Sequence, residues 1–98
     1  MLKQAQALQA KVAQVQEELK TREMVGTSGG GKVKVTMNGG QEVVSISIDP
    51  DVVNPAEADL LEDLVVAAFR DARAKITRLI EEEMSRVTGG MGLPPGLF

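Results

Sequence analysis

Arg70, Arg73, Lys75 and Arg78 fall within nine residues of one another, opposed in that stretch only by Asp71. Guanidinium and ammonium groups gathered in this way bind phosphate, and phosphate contact carries most of the affinity for nucleic acid. On a helix, Arg73, Arg70 and Arg78 fan across roughly 140° of one side. The same spacing also describes a solvated face with i,i+4 charge pairs, such as Arg78 with Glu82. Other chemistry is poorly served. The chain of 98 residues has no histidine and no cysteine, which removes the commonest general base, the thiol nucleophile and most zinc sites. Glu81, Glu82 and Glu83 are consecutive and point in different directions on a helix. Asp49-Pro50-Asp51 reads as a turn, because no Gly-and-Glu calcium-loop pattern follows it. Ser28-Gly29-Gly30-Gly31 lacks the Gly-Lys-Ser/Thr ending of a phosphate loop and reads as a flexible connection. The expectation is a protein that is not an enzyme, with no catalytic residue, no metal site, no cofactor and no small-molecule substrate.

A net charge of −3 argues against a simple nucleic-acid binder, but its distribution is uneven. Residues 1–40 carry six basic and three acidic side chains; residues 70–98 carry five basic and four acidic. Between them, Glu42, Asp49, Asp51, Glu57, Asp59, Glu62 and Asp63 form an acidic middle with no basic residue.

These charges must be carried by recognisable elements. Leu2, Ala5, Leu8, Val12, Val15 and Leu19 make a narrow apolar stripe of coiled-coil type, predicting a helix from residue 2 to about residue 21. That stripe suits a helix packed on its own domain or an arm packed on another helix. Met24-Val25 is a possible short first strand. Val33, Val35 and Met37 alternate with Lys32, Lys34 and Thr36, the period of a half-buried strand. Asn38-Gly39 predicts a tight hairpin turn in which both residues take positive φ. The return strand then places Val44, Ile46 and Ile48 on one face and Val43, Ser45 and Ser47 on the other. Asn54-Pro55-Ala56-Glu57 is a helix start, with Asn as cap and Pro in the first helical position. The helix is expected to reach about Thr88, where Gly89-Gly90 stops it in the left-handed conformation, leaving a flexible tail at 89–98.

From Leu60 to Phe69 this second helix is apolar almost all round, which implies burial on several sides. Beyond Arg70 the stripe narrows to Ala72, Ile76, Leu79, Ile80, Met84 and Val87, the expected antiparallel partner of the first helix. That pairing would bring Lys3 and Lys11 near the cationic stretch and near Arg86. The architecture is therefore α+β, one domain over 1–98: an N-terminal helix, a small antiparallel sheet and a long C-terminal helix. Phe69 and Phe98 are the only aromatic residues, so a monomer of this size buries little apolar area. A homodimer with projecting helical arms is the expected resolution, with Leu60, Leu61, Leu64, Val65, Ala68 and Phe69 at its interface. The polar start Met1-Leu2-Lys3-Gln4 does not read as a signal peptide, and no apolar run is long enough to span a bilayer. A soluble cytoplasmic protein with no membrane partner is expected.

In order along the chain come Val33-Lys34-Val35-Thr36-Met37-Asn38-Gly39, Ile48-Asp49-Pro50, Leu61 to Phe69, and the ending Gly89-Gly90-Met91-Gly92-Leu93-Pro94-Pro95-Gly96. This series resembles the YbaB/EbfC family of bacterial nucleoid-associated proteins over nearly the whole chain. The resemblance implies a small homodimer likened to tweezers, whose helical arms grip double-stranded DNA, and a location at the nucleoid. It makes Lys3, Lys11, Arg70, Arg73, Lys75, Arg78 and Arg86 the DNA-contact candidates, acting on phosphates with little sequence preference. An alternative is an adaptor in DNA repair or recombination whose acidic middle docks a basic protein.

Overall fold

The computed structural model describes residues 2–90. The chain is elongated, with extents of 63 × 20 × 16 Å. Helix α1 spans Leu2–Leu19, strands β1, β2 and β3 span Glu23–Ser28, Val33–Asn38 and Val43–Ile48, and helix α2 spans Ala58–Gly90. The strands form an antiparallel sheet in the order β1-β2-β3, so the possible first strand suggested by Met24-Val25 is a full member of it.

The alternation in β2 decides which face of the sheet is covered. Val33, Val35 and Met37 are buried, and they join Ala68, Ala72 and Ile76 of α2 in the main core. α2 lies across β1 and β2 and leaves β3 outside its footprint. It sits unusually close to β1. A Cβ built on Gly26 would stand 2.1 Å from the Ala72 nitrogen and 2.3 Å from the Ala68 oxygen. Gly26 with Ala68 and Ala72 is thus a seam of minimal side chains on which helix and strand backbones meet.

Glycines make the turns, though not as the sequence suggests. Gly29, Gly30 and Gly31 all take positive φ, at 60°, 68° and 89°, so this expected flexible connection is an ordered turn restricted to residues without a Cβ. The Ser28 hydroxyl closes it by donating to the Leu64 carbonyl at 2.6 Å. The β2–β3 connection is likewise not a two-residue Asn-Gly turn with paired positive φ. It is a three-residue loop, Gly39-Gly40-Gln41, closed by Gln41 N–H donating to the Asn38 carbonyl. Gln41 is the residue in the left-handed region, at φ 61°, as expected where a three-residue hairpin ends in a bulge. The Asn38 side-chain oxygen accepts from the Gly40 and Glu42 amides. Gly39 is required for a different reason: a Cβ there would stand 2.1 Å from the Leu19 carbonyl oxygen, and its N–H donates to that carbonyl. The hairpin tip is docked on the last turn of α1.

A second irregularity changes the faces of β3. Val35 opposes Ile46 and Thr36 opposes Ser45, but Met37 opposes Val43, so Val44 is the extra residue of a bulge. Val43 therefore shares a face with Ile46 and Ile48, contrary to the strict alternation expected, because the bulge shifts the phase by one residue.

Asn54 accepts from the Ala56 amide and Pro55 opens a single 3-10 turn, after which α2 begins at Ala58. At the other end α2 runs through Gly89 and Gly90, and Gly89 has no left-handed φ. The expected stop after Thr88 is therefore displaced. Val87 and Thr88 are buried against α1, and packing holds the last turn in helical form. The remainder of the expected tail lies outside the described residues.

Candidate nucleic-acid interface

Ser28, Thr27 and Val25 of β1 bond in turn to Leu64, Asp71 and Lys75 of α2, so helix and strand run in opposite directions. α1 precedes β1 and continues the same line, back along the second half of α2. Val15, Leu19 and Val87 form the buried centre of this helix pair, flanked by Leu8, Val12, Leu79, Ile80 and Met84. Burial fades outward, and Leu2 is 75% exposed. The result is a two-helix arm projecting from the sheet end.

The seven candidate cations do not act as one group. Lys75 is committed to the fold. Its ammonium donates to the Val25 carbonyl at 3.0 Å and pairs with Asp71 at 3.1 Å, while Asp71 accepts from the Thr27 amide at 2.9 Å. The N–H and C=O groups of an edge strand are normally free to recruit another chain. Here one i,i+4 pair on α2 satisfies an outward amide and an outward carbonyl of β1. This contact is not visible in the sequence, because the strand partner of Lys75 is 50 positions away.

The Thr27 amide, and after it the Lys75 ammonium, hold the Asp71 carboxyl below its ordinary value of 3.8. A depressed carboxylate pKa means that the ionised form is favoured by folding. The stabilisation is present above 3.8 and is lost as pH falls through the lower folded value. Asp71→Asn should therefore be less stable than the parent at pH 7, with the gap closing below pH 3.8. Urea midpoints at both pH values check this; a gap independent of pH would mean that the charge is not what holds β1.

Arg70 and Arg73 line a groove floored by Val35, Ile46, Val65, Val66 and Phe69, at the sheet end and away from the arm tip. Arg78 lies along the arm and pairs with Glu82 at 3.0 Å, remaining 82% exposed. Arg86, also exposed, lies 3.5 Å from Glu83. Lys3 and Lys11 are exposed on α1.

The arm as a whole is not basic, because Glu17, Glu18, Glu81, Glu82 and Glu83 lie on it. The acids are confined to its base and middle. Residues 2–16 of α1 and 84–90 of α2 contain Lys3, Lys11 and Arg86 and no acidic side chain. The distal part of the arm is therefore cationic, while six of the seven acids of residues 41–69 lie beyond the arm, at the sheet-bearing end, and Glu42 sits at the hairpin tip docked on the base of α1. Of the expected interface residues, Leu60 is 52% exposed, Leu61, Leu64, Val65 and Phe69 are partly buried, and Ala68 is wholly buried within its own core.

The family model for the YbaB/EbfC DNA-binding family matches residues 1–91. The chain belongs to the YbaB/EbfC DNA-binding family. It is 53% identical over 97 residues to the nucleoid-associated protein Rru_A3472 of Rhodospirillum rubrum, covering 99% of this chain and 91% of that protein. It is 48% identical to a nucleoid-associated protein of Dictyoglomus turgidum, covering 99% of this chain and 93% of the relative. The fold is shared with the crystal structure of the uncharacterized protein HP0035 from Helicobacter pylori, at a TM-score of 0.64 and 23% identity, covering 89% of this chain and 96% of that one. The family is one of DNA-binding proteins rather than a class of enzymes. Among the described residues, no helix is long and apolar enough to cross a membrane.

Proposed function

We propose that this protein is a nucleoid-associated homodimer that grips duplex DNA through the phosphates, using the ends of its two arms, with little sequence preference. The observation that carries the reading is the segregation of charge along the molecule: Lys3, Lys11 and Arg86 on an acid-free arm end, and the acids from the arm's base to the sheet end. Field along the molecule, rather than its sum, sets how a polyanion is approached. A duplex would meet the arm ends and be repelled from the sheet. This is how a protein of net charge −3 holds DNA. Among the described residues no element is set to read base edges: α2 is committed to the sheet and to α1 along its length, and Phe69 is the one aromatic side chain there, too few for a stacking platform.

The dimer half of the proposal rests on apolar surface. Val43, Val44, Ile46, Ile48, Val53, Leu60 and Val66 are each between 37% and 55% exposed, all at the sheet end. Apolar surface gathered in this way on a soluble chain marks an interaction site. Leu60, Leu61, Leu64, Val65 and Phe69 retain exposed area for a partner, whereas Ala68 has none to offer.

Light scattering should give a mass near twice 10.4 kDa. Gel-shift titrations with two unrelated duplexes should give similar affinities at 50 mM salt and a steep loss by 200 mM. A monomer would remove the dimer, and absence of binding at low salt would remove the DNA contact. Capture of a basic protein in nuclease-treated extract, with no DNA binding, would favour an adaptor instead.

A further inference from the structure

Glu62, Val66, Phe69 and Arg73 are spaced 4, 3 and 4 along α2, the spacing of a coiled-coil seam. Val66, Phe69 and Arg73 line the groove above Ile46, and Glu62 continues their row toward the N-terminus of the helix. Both charged members are exposed, and among the described residues neither forms an ion pair within the chain. The row reads acid, apolar, apolar, base. Turned end for end, it is its own complement.

We infer that this row is the self-recognition code of the homodimer. The α2 helices of two copies lie antiparallel, with the two-fold axis between Val66 and Phe69, and Glu62 of each copy pairs with Arg73 of the other. The inference rests on the homodimer reading and specifies its register. A two-fold interface requires that if residue i meets j, then j meets i. Glu62 and Arg73 lie equally far from the midpoint of Val66 and Phe69, so both ion pairs form at once around one apolar centre. A parallel pairing would set Glu62 beside Glu62 and Arg73 beside Arg73, a like-charge arrangement that excludes it.

α2 covers β1 and β2 of its own sheet, and Val43, Ile46 and Ile48 of β3 are left exposed beside the row, apolar surface that extends the proposed contact. Arg73 is then an interface residue that fixes orientation, not a DNA ligand.

Charge reversal tests the register. Glu62→Arg and Arg73→Glu, each alone, place like charges together twice per dimer and should weaken self-association at least tenfold by sedimentation. Mixed in equal amounts, the two variants should form a heterodimer as tight as the parent, because every pair is again opposite in sign. The combined Glu62→Arg/Arg73→Glu chain should likewise self-associate as the parent does. Single variants that dimerise normally, or a mixture no tighter than either alone, would overturn the register while leaving a dimeric parent intact. A monomeric parent would overturn the homodimer reading itself.

Discussion

Gly26→Val should be the most damaging single substitution in this chain, lowering stability by about 3 kcal/mol or more. Even the first carbon of a side chain there would overlap the Ala72 nitrogen and α-carbon and the Ala68 oxygen, all backbone atoms that cannot rotate away. To admit it, α2 must lift from β1. That movement would open the core of Val33, Val35 and Ile76 and draw Asp71 and Lys75 off the strand edge. A small domain has a total stability of only about 5–15 kcal/mol, so such a loss is a large share of it. Thr27→Val, at the next and exposed position of the same strand, serves as the control, since valine suits strands and the backbone amide held by Asp71 is kept. Urea denaturation followed by circular dichroism should show the midpoint of Gly26→Val far below the parent and that of Thr27→Val close to it. Equal midpoints for all three chains would mean that helix and strand do not meet at Gly26.

The second large effect concerns DNA. Replacing Lys3, Lys11 and Arg86 together by alanine removes the cationic side chains of the acid-free arm end. With both arms of a dimer engaged, six cations are lost. Each phosphate contact contributes about 0.9 to the slope of log affinity against log salt, so the slope should flatten by up to about 5, with affinity at least ~100-fold weaker at low salt. Unrelated sequences should be affected alike, because phosphate contacts position without specifying. The fold should be unchanged: all three side chains are exposed, and alanine favours a helix. Lys75→Ala separates the two roles assigned to lysine here. It should lower the urea midpoint through loss of the Val25 contact, while leaving the salt slope of DNA binding as it was. If the triple variant binds DNA with the parental slope, the contact surface lies elsewhere on the molecule.

Much of this architecture is written in local order. The alternation of Val33, Val35 and Met37 selects the buried face of β2, and all three are buried as that period requires. The spacing of Ala68, Ala72 and Ile76 gives α2 its core stripe, and Val15 and Leu19 give α1 its own. Asn54-Pro55 marks where the long helix is prepared. Such signals are legible because a period of two or of 3.6 is a relation among neighbours along the chain, and burial of one face then follows from the hydrophobic effect. The cations at the arm end were also legible as residue types. What tertiary structure decided is where segments distant in sequence come together. Gly39 looks like a residue chosen for positive φ, yet it is the approach of Leu19 that demands a glycine, while Gln41 takes the left-handed position. Val44 breaks the alternation of β3 through a bulge that no periodicity announces. Lys75 looks like any other cation of its cluster until β1 is laid beside it, and Gly26 looks like a weak strand residue until two helix backbone groups lie upon it. Each depends on a backbone approach across tens of residues, which composition and spacing leave open and which packing of this one sheet against this one helix settles.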